Sequence, residues 1–257
     1  MQTEKLRDRC PVCDYGIYQP GYWAIPFKTL DQGVVIGGGT TNEFPCLDGE
    51  LIHFHRCLQC DSVFRDPCPV GGHTGDHYVR KMKDDKAWLG YNYRYRFFMP
   101  HVSPDAKIMV DAACGVGQYL TVAKRENERR WERFIGIEYG KTYVDYIAGL
   151  GCEALQCDLD LQAVPLPDAV ADLVVFSEAF EHMYSAYVVM QKLAALLKPG
   201  GVLFFSAQSL GSPLPVRPEE TIYVNVRGLR AVCNAASLKI ADLQERAGRW
   251  LVVAVKL

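Results

Sequence analysis

The stretch Lys107–Leu120, KIMVDAACGVGQYL, decides how this chain is read. Ile108, Met109 and Val110 make a short apolar run suited to a buried parallel strand; the run ends in Asp111 and turns through small residues into a helix-length segment. Gly115 and Gly117 let the backbone turn tightly and approach a ligand at a helix N-terminus, where unpaired N–H groups point outward. A Gly-rich turn also forms simply to pack a strand against a helix, so the stretches downstream decide between the two readings.

A second apolar run, RFIGIEYG, ends in Glu138, twenty-one residues beyond Gly117. In dinucleotide-type sites a carboxylate at about this distance leaves the end of the second strand and accepts hydrogen bonds from ribose hydroxyls. CEALQC then runs into Asp158 and Leu159, ADLVVFS runs into EAFEHM, and LKPGG introduces GVLFFSAQ. Strands alternating with helix-length segments predict an α/β fold.

With these motifs in this order, residues 90–257 resemble the class I S-adenosylmethionine-dependent methyltransferases. DAACGVG is similar to that family's D-x-G-x-G-x-G loop, with Ala113 in place of the first glycine, whereas a dehydrogenase loop requires G-x-G-x-x-G. The extra methyl of Ala113 weakens cofactor binding only if the backbone there needs positive φ. The resemblance implies S-adenosylmethionine as cofactor, S-adenosylhomocysteine as product, and a Rossmann-like seven-stranded sheet whose final strand is antiparallel. It places cofactor contacts at Asp111, Ala113, Cys114, Gly115, Gly117, Glu138 for ribose, Asp158 and Leu159 beside adenine, Ser177 and Tyr91. The helical VRGLRAVCNAAS and the strands LKIADLQER and RWLVVAVKL would complete the sheet.

A length of 257 residues with 49% hydrophobic content allows one substantial core and a small appendage. No apolar run reaches membrane-spanning length and the polar start MQTEKLRDR has no signal-peptide character, so a cytoplasmic protein without a membrane partner is expected. A formal net charge of −2 with no long basic run gives no general nucleic-acid footprint, and self-association stays open.

Ten cysteines in such a chain call for something other than disulfides. Cys10-Pro-Val-Cys13 and Cys57-Leu-Gln-Cys60 are two C-x2-C knuckles separated by 43 residues, and two such pairs make a tetrahedral sulfur cage for structural zinc. Zinc would help fold a segment rich in Gly and Pro; the bland alternative is two unrelated pairs in loops. Cys46, His53, His55, Cys68, His73 and His77 lie nearby as weaker candidates. The alternation of His53 and His55 suits a strand carrying both imidazoles on its solvent face. Cys114, Cys152, Cys157 and Cys233 read as small buried hydrophobes.

The knuckles followed by HRCLQCDSVFRDPCP resemble the zinc-ribbon head found ahead of many bacterial methyltransferases, including enzymes that modify sugars and secondary metabolites. This gives two domains, a zinc ribbon over 1–75 and a methyltransferase domain over 76–257, with the boundary in VGGHTGDHYVRKMKDDK. After it, AWLGYNYRYRFFMPHV places Trp88, Tyr91 and Tyr95 on one helical face, while Tyr93, Phe97 and Phe98 add to the aromatic content. The stripe either packs on the sheet or, as the resemblance implies, covers the cofactor. In the second case Tyr91 and Tyr95 offer hydroxyls to the methionine carboxylate, with Arg94 and Arg96 as alternatives.

Catalysis is sought in SEAFEHM, where a helix would put Glu178 and His182 on one face. His182 and Glu181 are the catalytic candidates: a histidine is a natural base for a hydroxyl acceptor, and the competing role is bracing the segment beneath the cofactor. Glu178-x-x-Glu181-His182 is also similar to the E-x-x-E-H stretch of metal-assisted O-methyltransferases. Acceptor contacts are sought in SLGSPLPVRPEETIYVN at Arg217, Glu219, Glu220, Tyr223 and Asn225, with Pro213, Pro215 and Pro218 stiffening the path. The expectation is methyl transfer to a small-molecule hydroxyl on a sugar, polysaccharide precursor or metabolite. The alternatives are a zinc-containing rRNA base methyltransferase and a non-catalytic partner subunit of the same fold.

Overall fold

The alternating apolar runs fold into a sheet of β6 (Ile108–Ala112), β7 (Arg133–Glu138), β8 (Glu153–Gln156), β9 (Ala171–Phe176), β10 (Leu197–Gln208), β12 (Leu238–Arg246) and β13 (Arg249–Lys256). The computed structural model describes residues 3–26, 51–66, 68–70, 88–127, 130–211 and 220–257. The strand order is β12-β13-β10-β9-β6-β7-β8, with parallel neighbours from β10 to β8 and antiparallel pairing of β13 to both β10 and β12. The Rossmann-like seven-stranded sheet with a reversed last strand is therefore present. Ala247 and Gly248, with φ of 50° and 74°, make the two-residue turn that reverses it.

Helices cover both faces, which is why the central strands are apolar throughout rather than alternating. Val110, Ile135, Val174, Phe176, Leu203 and Phe205 point to the face packed by α4 (Ala186–Leu196) and α5 (Val226–Ala235). Met109, Leu173, Val175, Phe204 and Val253 point to the other, where α1 (Trp88–Phe98), α2 (Gln118–Asn127) and α3 (Lys141–Gly149) lie. Ser185 caps α4 by accepting from the Val188 N–H, and Asn225 caps α5 by accepting from the Gly228 N–H.

The cysteine-bearing segment forms β1 (Thr3–Lys5), β2 (Tyr18–Pro26), β3 (Leu51–Cys57), β4 (Val63–Arg65) and β5 (Cys68–Val70). Its larger sheet has the order β11-β4-β3-β2, and the edge strand β11 (Ile222–Tyr223) comes from the far end of the chain. Cys10, Val12, Cys57, Cys60 and Phe64 belong to the same apolar core as Val174, Phe205 and Leu229, so this segment is built onto the α4–α5 face. The contact is close: a Cβ on Gly228 would lie 2.4 Å from Ser62 Oγ. The linker where the sequence put its boundary lies outside the described residues, as do Cys46, His73 and His77.

Two local expectations are corrected. SEAFEHM is not an α-helix: Glu178 sits at φ 58° and only Phe180–His182 forms a 3-10 turn, so Glu178 and His182 share no helical face. The N–H of Glu178 is taken by Ser206 Oγ of β10 at 2.8 Å, which ties it to the sheet instead of a helical carbonyl. On β3, His53 is exposed but His55 is not on the solvent face; it packs on the Tyr18 and Phe64 rings, 3.6 Å from Asp66.

Candidate active site and cysteine cage

The turn after β6 has the geometry the sequence suggested. Ala113, Gly115 and Gly117 all adopt positive φ, 51°, 53° and 69°. Gly117 N–H closes the turn on the Cys114 carbonyl at 2.8 Å, and Cys114 N–H joins it to the Ile137 carbonyl of β7 at 3.1 Å. Glu138 reaches back: its Oε2 accepts from Gly115 N–H at 2.8 Å, and its Oε1 accepts from Tyr139 N–H at 2.8 Å. Cys114 is buried against β7, where a Cβ on Gly136 would come within 3.0 Å of its sulfur.

Asp111 is 2% exposed, its Oδ2 has no hydrogen-bond partner, and burial followed by the neighbouring Glu138 pushes its carboxyl well above the ordinary range. An orphaned buried carboxylate beside a turn of left-handed residues fits a group that brings positive charge and needs close backbone approach, as S-adenosylmethionine does. In the turn after β8, Asp158 Oδ1 accepts from the Asp160 and Leu161 N–H groups at 3.0 and 3.2 Å, fixing the turn that holds Leu159.

Ala113 needs the conformation that favours glycine, so the substitution has a cost. A left-handed non-glycine residue loses about 1–2 kcal/mol, while glycine's extra unfolded-state freedom costs roughly 0.5–1 kcal/mol. Ala113→Gly is therefore expected to raise stability by about 0.5 kcal/mol in urea denaturation, and Ala113→Val to lower it by ~2 kcal/mol.

At the carboxyl ends of β9 and β10 lies a chain of charges. Arg94 of α1 donates to Glu178 Oε1 at 2.5 Å and to Ser177 Oγ at 3.3 Å. Arg249 of β13 contacts the other oxygen of Glu178 at 3.0 Å, donates to Glu181 Oε1 and lies 3.5 Å from Glu220 Oε1. Glu181 is fully buried: burial alone would raise its carboxyl, but Arg249 and His182 bring it below the ordinary value. Tyr119 OH donates to Ser177 Oγ at 3.1 Å, Ser177 is 3.0 Å from Ser206 Oγ, and burial pushes the Tyr119 phenol up to about 12.

A family described as a methyltransferase domain matches residues 110–205, from β6 through most of β10. That span contains the turn, Glu138 and the Ser177–His182 segment. Residues 110–205 form a methyltransferase domain. A probable S-adenosylmethionine-dependent methyltransferase of Mycolicibacterium smegmatis is 27% identical over 174 residues, 66% of this chain and 66% of its own. The chain thus spans just under two thirds of that relative's length. A solved S-adenosylmethionine-dependent methyltransferase from Aquifex aeolicus superposes with a TM-score of 0.57 at 17% identity, over 70% of this chain and 97% of its own. The [4+2]-cyclase SpnF superposes with a TM-score of 0.55 at 16% identity, over 64% of this chain and 80% of its own. These two likenesses establish the fold of the methyltransferase domain, and chemistry is argued from the site.

Against that domain stands the sulfur cage. Cys10, Cys13, Cys57 and Cys60 converge with all four sulfurs within 4.8 Å of one another; Cys10–Cys60 and Cys13–Cys57 are 3.7 and 3.6 Å apart. A tetrahedron of sulfurs at ~2.3 Å from zinc has edges of about 3.8 Å, so the donor set and its spacing fit zinc. Both knuckles end alike, with Asp14 and Asp61 at φ 58° after the second cysteine. Cys68 stands apart, 3.9 Å from Thr221 Oγ1.

The other sequence candidates separate into site and scaffold. Tyr91 is half-buried with its ring edge-on to Tyr119 at 5.2 Å, whereas Tyr95 is 2% exposed and packs on Phe98. Trp88's side chain, Arg217, Glu219 and the three loop prolines lie outside the described residues. Glu220 is buried toward Arg249, Tyr223 packs edge-on to Phe54, and Asn225 is a helix cap, so these three serve the scaffold. Of the described His, Cys, Asp and Glu residues, only the four cysteines cluster with metal-binding spacing. Between Glu178 and Glu181 a guanidinium, not a metal-sized gap, supplies the positive charge. Arg7, Tyr119, Ser206 and Arg249 were not singled out from sequence, because the partners that give them a role lie on distant segments.

Proposed function

We propose that the protein transfers a methyl group from S-adenosylmethionine to a small-molecule acceptor, most naturally a hydroxyl of a sugar or secondary metabolite. The observation that carries the donor half is the Asp111–Gly117 turn, with a buried Asp111 carboxylate oxygen that has no hydrogen-bond partner and its Gly115 N–H held by Glu138. When bound, the donor supplies a methyl group on a positively charged sulfur already activated for displacement. The protein's share is alignment and exclusion of water. Asp111 would answer the donor's positive charge, Glu138 its ribose, Asp158 and Leu159 its adenine, and Tyr91 with Ser177 its amino-acid end.

On the acceptor side, His182 is half-buried next to Glu181 and is the group proposed to take the proton from an acceptor hydroxyl. Glu181, locked on Arg249, braces it. The arginines beside this segment, Arg94 and Arg249, are already engaged by Glu178, Glu181 and Glu220, which supports a small-molecule acceptor over a phosphate backbone. No helix among the described residues is long and apolar enough to cross a membrane.

Calorimetry with S-adenosylhomocysteine tests the donor half, and methyl-labelled donor offered to sugars, nucleotide sugars, phenolic metabolites and RNA tests the acceptor. Absence of binding would favour a non-catalytic partner subunit; salt-sensitive labelling of RNA would favour a base methyltransferase. Tyr91→Phe is expected to weaken S-adenosylhomocysteine about 5-fold, one hydrogen bond's worth, while Tyr95→Phe leaves affinity unchanged.

A further inference from the structure

We infer that Arg7 is a strut that holds the Glu181–His182 segment to the cysteine-bearing unit, a positioning residue for the acceptor side; the term acceptor side rests on the function proposed above. Arg7 is 3% exposed, and its guanidinium joins segments far apart in sequence. Nε donates to the Tyr184 carbonyl at 3.0 Å, and one terminal nitrogen donates to the Met183 carbonyl at 2.8 Å and Thr221 Oγ1 at 3.2 Å. The other donates to the Arg65 carbonyl at 2.8 Å, and the Arg7 backbone N–H donates to Asp66 at 2.8 Å.

Thr221 completes the link, its N–H and hydroxyl both donating to the Glu181 carbonyl, at 2.8 and 3.0 Å. Two more bonds follow the same line: Tyr184 OH donates to the Leu6 carbonyl at 2.6 Å, and Tyr187 N–H to the carbonyl of Pro11, inside the first knuckle, at 2.7 Å. Asp160 holds the segment from the opposite side, accepting from Tyr184 and Ser185 N–H.

The segment after the 3-10 turn has no ladder or helix to satisfy its carbonyls, and a planar fork of fixed donors satisfies two of them at once. A lysine, with a single ammonium, cannot span the same set. By contrast the donor turn is tied to β7 through Ile137 and Glu138. The position of His182 is therefore set by the cysteine-bearing unit through Arg7, while the donor turn is set by the sheet.

The test uses full-length, zinc-loaded protein bearing Arg7→Met, Arg7→Lys or Thr221→Val, with Val253→Ala as a control for general loss of stability in the opposite core. Amide hydrogen exchange is followed at residues 181–187 and 111–117, the His182 imidazole resonance by NMR, and S-adenosylhomocysteine affinity by calorimetry. Arg7→Met is expected to speed exchange at 181–187 about ten-fold or more and to displace the His182 resonance, with exchange at 111–117 and ligand affinity within about 2-fold of the parent. Arg7→Lys should recover part of the resonance position, Thr221→Val should reproduce a smaller local effect, and Val253→Ala should leave the resonance in place. Unchanged exchange at 181–187 in Arg7→Met and Thr221→Val, or a uniform rise that includes 111–117, overturns the strut. If Arg7→Met does not fold, Thr221→Val decides alone. Failure of the parent to bind S-adenosylhomocysteine would overturn the methyl-transfer reading instead, leaving the exchange result to decide the strut.

Discussion

Replacing Cys57 with serine is expected to release zinc and lower the melting temperature by about 10 °C or more, the fall that ~4 kcal/mol produces in a domain of this size. The size of the effect follows from where the cage lies. Cys10, Cys57 and Cys60 are at most 2% exposed and belong to the core that packs against β9, β10 and α5, so freeing the knuckles opens the α4–α5 face as well. A chelator strong enough to strip zinc should reproduce the loss in the parent and add nothing to the Cys57→Ser protein. Elemental analysis should find one zinc per chain. A parent that melts identically with and without metal would remove zinc from this account.

The second large effect is expected at Arg249. Arg249→Met strands the Glu181 carboxylate in a fully buried position, and removing one partner of such a pair costs about 3–5 kcal/mol. The pH dependence carries the sign. With Arg249 present, the folded-state carboxyl lies below its unfolded value, so its contribution to stability is full above the ordinary carboxylate range and fades as pH falls through the folded value. Without the guanidinium, burial dominates and the folded value rises above the unfolded one. The deficit of Arg249→Met should then shrink on acidification and widen toward pH 8, and Glu181→Gln in the same chain should restore more than half of it. Urea denaturation at two pH values checks this; a small, pH-independent deficit would show that Arg249 is dispensable to Glu181.

Much of the fold was legible because its signals are local. KIMVDAACGVG writes strand, turn and helix into consecutive residues, the apolar runs of β9 and β10 can bury both faces, and C-x2-C places two sulfurs on one tight turn. What stayed hidden depends on partners brought together from distant segments. Arg249 reads as the polar start of the last strand, and nothing near it announces Glu178, Glu181 and Glu220. Arg7 reads as one more charge in MQTEKLRDR. SEAFEHM has helical spacing, yet Ser206 captures the Glu178 N–H and two arginines hold its carboxylate, and these tertiary contacts override the local pattern. Ala113 carried the right warning, since the condition under which its methyl matters, positive φ, is the one the turn adopts.

The two-residue strand β11 also sets an order of events during synthesis. The sheet of β2, β3 and β4 is made early, but the strand that closes its edge arrives with Ile222 and Tyr223, and Arg7 finds its hydroxyl acceptor Thr221 only 214 residues later. Until then β4 presents an open ladder, and loop closure over so long a span is entropically slow. The cysteine-bearing segment, synthesised ahead of the seven-stranded sheet, is thus among the last parts to be completed. A nascent chain stalled before residue 220 would carry an unfinished edge ready to pair with its neighbours.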